Sequence, residues 1–113
     1  MSALASGSGV AARLAPAQQK ARGFLHIVRH GAGPQALYVV TYHRLSGSPI
    51  RPKPILAETS QALIELLERI GVDFHLREVR GALEDILRLG SANIPDLWLS
   101  DEEILEKGLI ESA

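Results

Sequence analysis

The chain of 113 residues contains no cysteine, which excludes disulfides, thiolate zinc sites and every thiol-based redox step. It also lacks any apolar run near the roughly 18 residues a membrane-spanning helix needs. Residues 1–23, "MSALASGSGVAARLAPAQQKARG", have no continuous apolar core of the secretory-signal kind. A cytosolic protein with no membrane partner is expected, although this Ala-, Ser- and Arg-rich opening without an acid also fits an organellar presequence. The acids are missing from far more than the opening. Residues 1–57 carry seven basic residues (Arg13, Lys20, Arg22, Arg29, Arg44, Arg51 and Lys53) and no acid, whereas residues 58–113 carry five basic and all thirteen acidic residues. The halves are thus +7 and −8 within a net charge of −1. Such a division fits an anion-binding half, two halves of one domain that attract each other, or head-to-tail association of copies.

What is present is enough for one core. At 46% apolar the chain reads as a tail over 1–22, rich in small and polar residues with Pro16 interrupting a short helical pattern, and a single domain over 23–113. "FLHIVRH" (24–30) and "ALYVVTYH" (36–43) are β-branched and aromatic and flank "GAGPQ", which has hairpin-loop chemistry. The second run is apolar on both alternating faces, so it predicts a central strand covered on both sides. "RLSGSPIRPKP" is a loop. Leu63, Leu66, Leu67 and Ile70 recur at helical spacing before Gly71, predicting a helix that stops there. "VDFHLREV" (72–79) alternates as a strand does, "GALEDILRLG" predicts a shorter helix, and "NIPDLWLS" a third apolar strand. In the final segment Ser100 and Glu103 have capping-box spacing that favours a helix, while Asp101-Glu102 also suits a hairpin turn. The order β-β-α-β-α-β predicts an α/β sheet with crossover connections.

From residue 57 onward, "LIELLERIGVDFHLREV" and "NIPDLWL" stand where glutaredoxins have a helix ending "ELLEELGVEFE" and a strand "VPQVFI" with a cis proline. The chain resembles the glutaredoxin branch of the thioredoxin fold over roughly half its length. The resemblance implies a thioredoxin-like mixed sheet of four to five strands with helices packed on it, plus an N-terminal β-hairpin strand. It also implies that "FLHIVRH" reaches the sheet edge by a longer path instead of pairing beside 36–43. "AETS" replaces the family's C-P-[YF]-C, with Ala57 at the nucleophilic and Ser60 at the resolving position. Alanine has nothing to ionise, and no general base for the serine is visible. The resemblance therefore implies geometry without chemistry: a peptide-accepting groove of Ala57, Thr59 and Ser60 facing Ile94 and Pro95.

"HIVRHG" resembles the opening of the histidine phosphatases, and "RPKPILAETSQALIELL" echoes a later segment of that family, with Gln61 and Ala62 about one place out of register. That likeness implies phosphoryl transfer at His30 with Arg29 holding the phosphoryl oxygens, helped by Arg51, Arg77 or Arg80. The later histidine of the pocket is missing, since His75 is the last in the chain, and alternation puts the Arg29 side chain on the face opposite His30. His26, His30 and His43 lie where imidazoles on adjacent strands can bind zinc, but without cysteine or a nearby acid they read as solvated sheet-face residues, and no metal or other cofactor is expected. The leading expectation is a cysteine-free module that binds a protein or peptide and is not an enzyme. Phosphoryl transfer at His30 is the first alternative. The second is polyanion or nucleic-acid binding by the basic half, which lacks interleaved aromatics. Homo-oligomers through the oppositely charged halves stay open.

Overall fold

A computed structural model describes residues 19–111. Its elements in chain order are β1 (Lys20–His30), β2 (Leu37–Arg44), β3 (Ile55–Ala57), α1 (Ser60–Ile70), α2 (Arg77–Leu89), β4 (Ser91–Ser100) and α3 (Asp101–Glu106). The α/β class holds, with four strands and three helices packed on them. The strand order is β3-β2-β1-β4 and each of the three ladders is antiparallel. The first strand begins earlier than expected, since Lys20, Ala21 and Arg22 already pair with β4. The rest of the expected tail, including most of its short helical pattern, lies outside the described residues.

The hairpin of β1 and β2 forms directly, from Gly23 opposite Arg44 to His30 opposite Leu37. β1 is therefore an interior strand between β2 and β4, not an addition at the sheet edge. A 3-10 turn at Gly33–Gln35 fills the loop, where Gly31 and Gly33 supply positive φ angles of 85° and 65°.

Both long helices lie on one face. In α1 the Thr59 hydroxyl accepts from the Ala62 N–H at 2.9 Å, and Gly71 ends the helix in the left-handed conformation at φ 102°. Leu63, Leu66, Leu67 and Ile70 are buried as their spacing predicted. They meet Tyr38, Val40, Tyr42, Leu25 and Ile27 from the sheet. Full burial of such side chains stabilises by about 1.5–3 kcal/mol each before entropy is counted.

The strand expected over 72–79 does not form. After Gly71, the Val72 N–H bonds back to the Leu67 carbonyl at 3.0 Å, closing the helix end. The Asp73 carboxylate accepts from the His75 N–H at 2.8 Å, turning the chain. α2 then starts at Arg77, four residues before the expected Gly81, because Val79, Ala82 and Ile86 form a buried helical stripe. With 72–76 a turn and 77–79 helical, no strand lies between α1 and α2. β4 returns antiparallel to β1 instead, and the Ile94–Pro95 peptide is trans, since none of the described peptide bonds is cis.

The C-terminal segment is helical. In α3 the Ser100 hydroxyl accepts from the Glu103 N–H at 3.2 Å, and the Glu103 carboxylate accepts from the Ser100 N–H at 2.9 Å. This pairing and the Lys20 ammonium hold the Glu103 carboxyl below its ordinary value, against the opposing effect of its partial desolvation.

Candidate functional site

Alternation and register assign every side chain of the sheet to a face. Leu25, Ile27, Tyr38, Val40 and Tyr42 are buried beneath the helices. Their neighbours in sequence point the other way, where none of the described helices lies. Cross-strand pairing arranges this second face in rows. One row runs Leu56, Val39, Val28, Ser91; the next runs Thr41, His26, Asn93; then His43 with Phe24; and finally Arg22 with Trp98. Leu37 and His30 close the opposite end. Leu56 is 55% exposed and Trp98 52%. The expectation that β2 is covered on both sides is thus corrected. Val39 and Thr41 are only partly buried, because both helices occupy the Tyr38 side.

Neighbouring side chains order the polar part of this face. The His26 Nδ1 and the Asn93 Oδ1 lie 2.7 Å apart, and the His43 ring stacks on Phe24 with centroids 5.1 Å apart. Each imidazole is thereby engaged on its own strand pair. Among the described residues no group of three His, Cys, Asp or Glu side chains is placed to hold a metal ion.

β4 carries a bulge on the rim of the same face. Leu25 pairs with Ile94 and Gly23 with Leu97, so Pro95 and Asp96 together oppose Phe24. Asp96 takes φ 57° there, and its carboxylate accepts from the Arg22 Nε at 2.9 Å. Pro95 is exposed and Ile94 is buried in the core.

The residues of the expected groove are not brought together. Ala57 ends β3 at one edge of the sheet, while Ile94 and Pro95 lie in β4 at the other, with two strands between them. Thr59 and Ser60 open α1 on the covered face, where the Ser60 hydroxyl is 3.2 Å from the Tyr38 hydroxyl. Only Pro95 of the set borders the open face.

Arg29 and His30 diverge, as alternation predicted. The Arg29 guanidinium reaches under α2 and donates to the carbonyls of Ile86 at 3.0 Å and Leu87 at 2.7 Å. It satisfies carbonyls at the helix C-terminus, while His30 points to solvent from the other face. Arg77 and Arg80 lie at the start of α2, and Arg51 in the loop before β3. None of these three is adjacent to His30 in the sheet.

The division of charge is resolved within the domain. Lys20 pairs with Glu103 at 3.1 Å, Arg22 with Asp96 at 2.9 Å and Arg44 with Asp101 at 2.5 Å, each a cation of the first half on an acid of the second. Arg44 is the buried member, its side chain 4% exposed. Its guanidinium also donates to the carbonyls of Ser48 and Leu99, both at 3.3 Å. A cleft of about 670 Å³ lies nearby, between residues 48–51, α3 and residues 110–111. Its walls carry Arg51 together with Asp101 and Glu111, so it presents no single sign of charge to a ligand.

The open face is the feature that the sequence reading missed. Its signal was present, since Leu37 and Val39 alternate with Tyr38 and Val40, but an apolar outward set reads the same whether a second layer covers it or not. Comparison with protein-family models, with curated proteins and with solved structures finds no match to this chain.

Proposed function

We propose that the protein is a non-catalytic interaction module that binds another protein surface on the face of its sheet that none of the described helices covers, with Pro95 at the rim. The observation that carries this reading is the uncovered apolar row of Leu56, Val39 and Val28, continued by Leu37 at one end and by Phe24 and Trp98 toward the other. Large exposed apolar residues gathered on one face mark contact surfaces. The chemistry of the face also favours a protein partner. Its cations, Lys20 and Arg22, are each neutralised by an acid, Glu103 and Asp96, so it offers little to a phosphate backbone.

Glutaredoxin-like ancestry fits a domain that has lost its thiols and retained a docking role in the cytosol. Its support is limited to α1, closed by Gly71, and β4, carrying Pro95, which occur in the chain order that the likeness implies. The test uses a partner isolated with the full-length chain from its native cell and then purified. Leu56→Glu with Trp98→Glu should abolish binding of that partner, while Leu87→Glu, on the exposed side of α2, should leave it unchanged. Binding that survives the sheet-face changes would place the contact surface elsewhere.

A further inference from the structure

We infer that the partner of the open sheet face is a second copy of this chain, packed face to face. This deepens the interaction-module reading and rests on it. Three properties of the face point to the same occupant: its charge, its extent and its shape.

Charge comes first. Two copies of one surface meet without repulsion only if that surface carries no excess of one sign. Among the described residues the formal charges that register puts on this face are Lys20 and Arg22 of β1 and Asp96 of β4, and both cations are already paired, Lys20 with Glu103 at 3.1 Å and Arg22 with Asp96 at 2.9 Å. The remaining acids lie on the helices, the connecting segments and the C-terminal segment. A strongly charged partner would find no complement on the face, whereas an identical face is matched to it. The whole chain, at a net −1, adds little long-range repulsion between copies.

The extent is adequate. The four strands have eleven, eight, three and ten residues in chain order, and each residue covers about 3.3 Å along the sheet and about 4.8 Å across it. That is about 500 Å² in projection. The relief of the side chains brings the accessible area toward the roughly 800 Å² per partner of a standard interface. Trp98 and Leu45, both more than half exposed, extend the apolar surface at the Arg22 end, where the Leu45 N–H continues the ladder by donating to the Arg22 carbonyl at 2.8 Å.

Shape supplies the third argument. An antiparallel sheet that is covered on one side stacks on another at about 10 Å, with strands nearly aligned, when its outward side chains are apolar and of moderate size. Val28, Val39, Leu37 and Leu56 are of that kind. A two-fold axis through the face would lay apolar rows against each other, enclose Thr41 and the paired His26 as a polar row on the two inner strands, and leave His30, Asn93 and Pro95 near the rim. The result is a four-layer assembly with helices outside and the two sheets within.

The experiment is sedimentation velocity with light scattering on the full-length chain between roughly 1 and 200 µM, the range in which a modest interface becomes half occupied. The expected result is a rise from the 12.2 kDa of one copy to twice that mass. Leu56→Glu with Trp98→Glu, both at exposed positions, should weaken self-association at least about 100-fold, because each dimer would bury four unpaired carboxylates. Native far-UV circular dichroism would show that the variant is folded, and Leu87→Glu should dimerise like the parent. A parent chain that stays at one copy throughout overturns the inference, as does a double variant that dimerises as well as the parent. If the parent is monomeric while a purified heterologous partner still loses binding to the double variant, the second-copy inference falls and the interaction-module reading stands.

Discussion

The Arg44 guanidinium and the Asp101 carboxylate are joined at 2.5 Å across 57 positions of chain. This contact ties the end of β2 to the first turn of α3. Because Arg44 is nearly sealed from water and Asp101 is partly open, the two ends of the pair are unequal. Asp101→Ala leaves a buried cation with only carbonyl partners. It should cost about 2–3 kcal/mol, at or somewhat below the lower end for breaking a fully buried pair, measured by urea unfolding. Arg44→Met, which removes the buried charge together with its need for a partner, should cost less. A larger loss for Arg44→Met would mean that the carbonyl contacts, not the ion pair, hold this corner.

Arg29 and His30 are neighbours with different duties, and their variants should separate them. Arg29→Met deprives the Ile86 and Leu87 carbonyls of their donor and should destabilise by about 1–2 kcal/mol. His30→Ala should remain within about 0.5 kcal/mol of the parent. Incubation with phosphoryl donors should leave no acid-labile phosphohistidine on either the parent or the variant. Phosphate turnover that His30→Ala removes would overturn this assignment of duties.

Gly23 should resist even the smallest side chain. A Cβ placed there would collide with the Tyr42 hydroxyl and the His43 carbonyl, and Tyr42 is fully buried. Neither can retreat without disturbing the hairpin, so Gly23→Ala should lose about 2–3 kcal/mol through overpacking or fail to accumulate as folded protein. Thermal unfolding near the parental midpoint would show that the tyrosine has room to move.

The capping box of α3 sets a pH dependence. The Ser100 N–H holds the Glu103 carboxyl below its ordinary 4.5, with help from Lys20. A carboxyl depressed in the folded state contributes stability that is present above its unfolded value and is lost as pH falls through the folded one. The stability gap between the parent and Glu103→Gln should therefore be widest near neutrality and close as pH falls below 4.5 and through the lower folded value. Tyr42 works in the opposite range. Burial raises its phenol, with Arg44 opposing, so its contribution is complete below pH 10 and declines as pH rises further. A gap for Glu103→Gln that does not change with acid would remove the carboxylate from the account.

Local chemistry made much of this architecture legible. The β1–β2 hairpin, the α1 stripe from Leu63 to Ile70 and its Gly71 stop, the "NIPDLWL" strand and the Ser100–Glu103 cap are each written within a few residues. The segment 72–79 misled because Val72, Phe74 and Leu76 alternate like a strand. Their actual roles are separate: Val72 completes a helix end, Phe74 packs on the core from a turn, and Leu76 is a half-exposed N-cap. Gly81 misled differently, since it reads as a helix boundary but sits inside α2 with open space beside it. The docking face was harder still. Whether Val39 is covered depends on which side of the sheet the helices choose, and that is settled by the crossover from β3 through α1 and α2 to β4, not by any residue near Val39. The likeness to glutaredoxins joined Pro95 to "AETS" through an assumed strand order, and the antiparallel return of β4 separates them.

The place of β1 between β2 and β4 imposes an order of events on synthesis. The strand that enters the sheet's interior is made first, and one of its two neighbours is made last, about 70 residues later. Until β4 and α3 leave the ribosome, the nascent hairpin carries an open flank and cations whose acidic partners Asp96, Asp101 and Glu103 have not yet emerged. Pairing along that flank of β1 and closure of the Lys20, Arg22 and Arg44 ion pairs therefore both wait for the last part of the chain. A chain interrupted at Gly90 would leave β1 as an exposed edge, the kind of unfinished template on which a second nascent chain can pair.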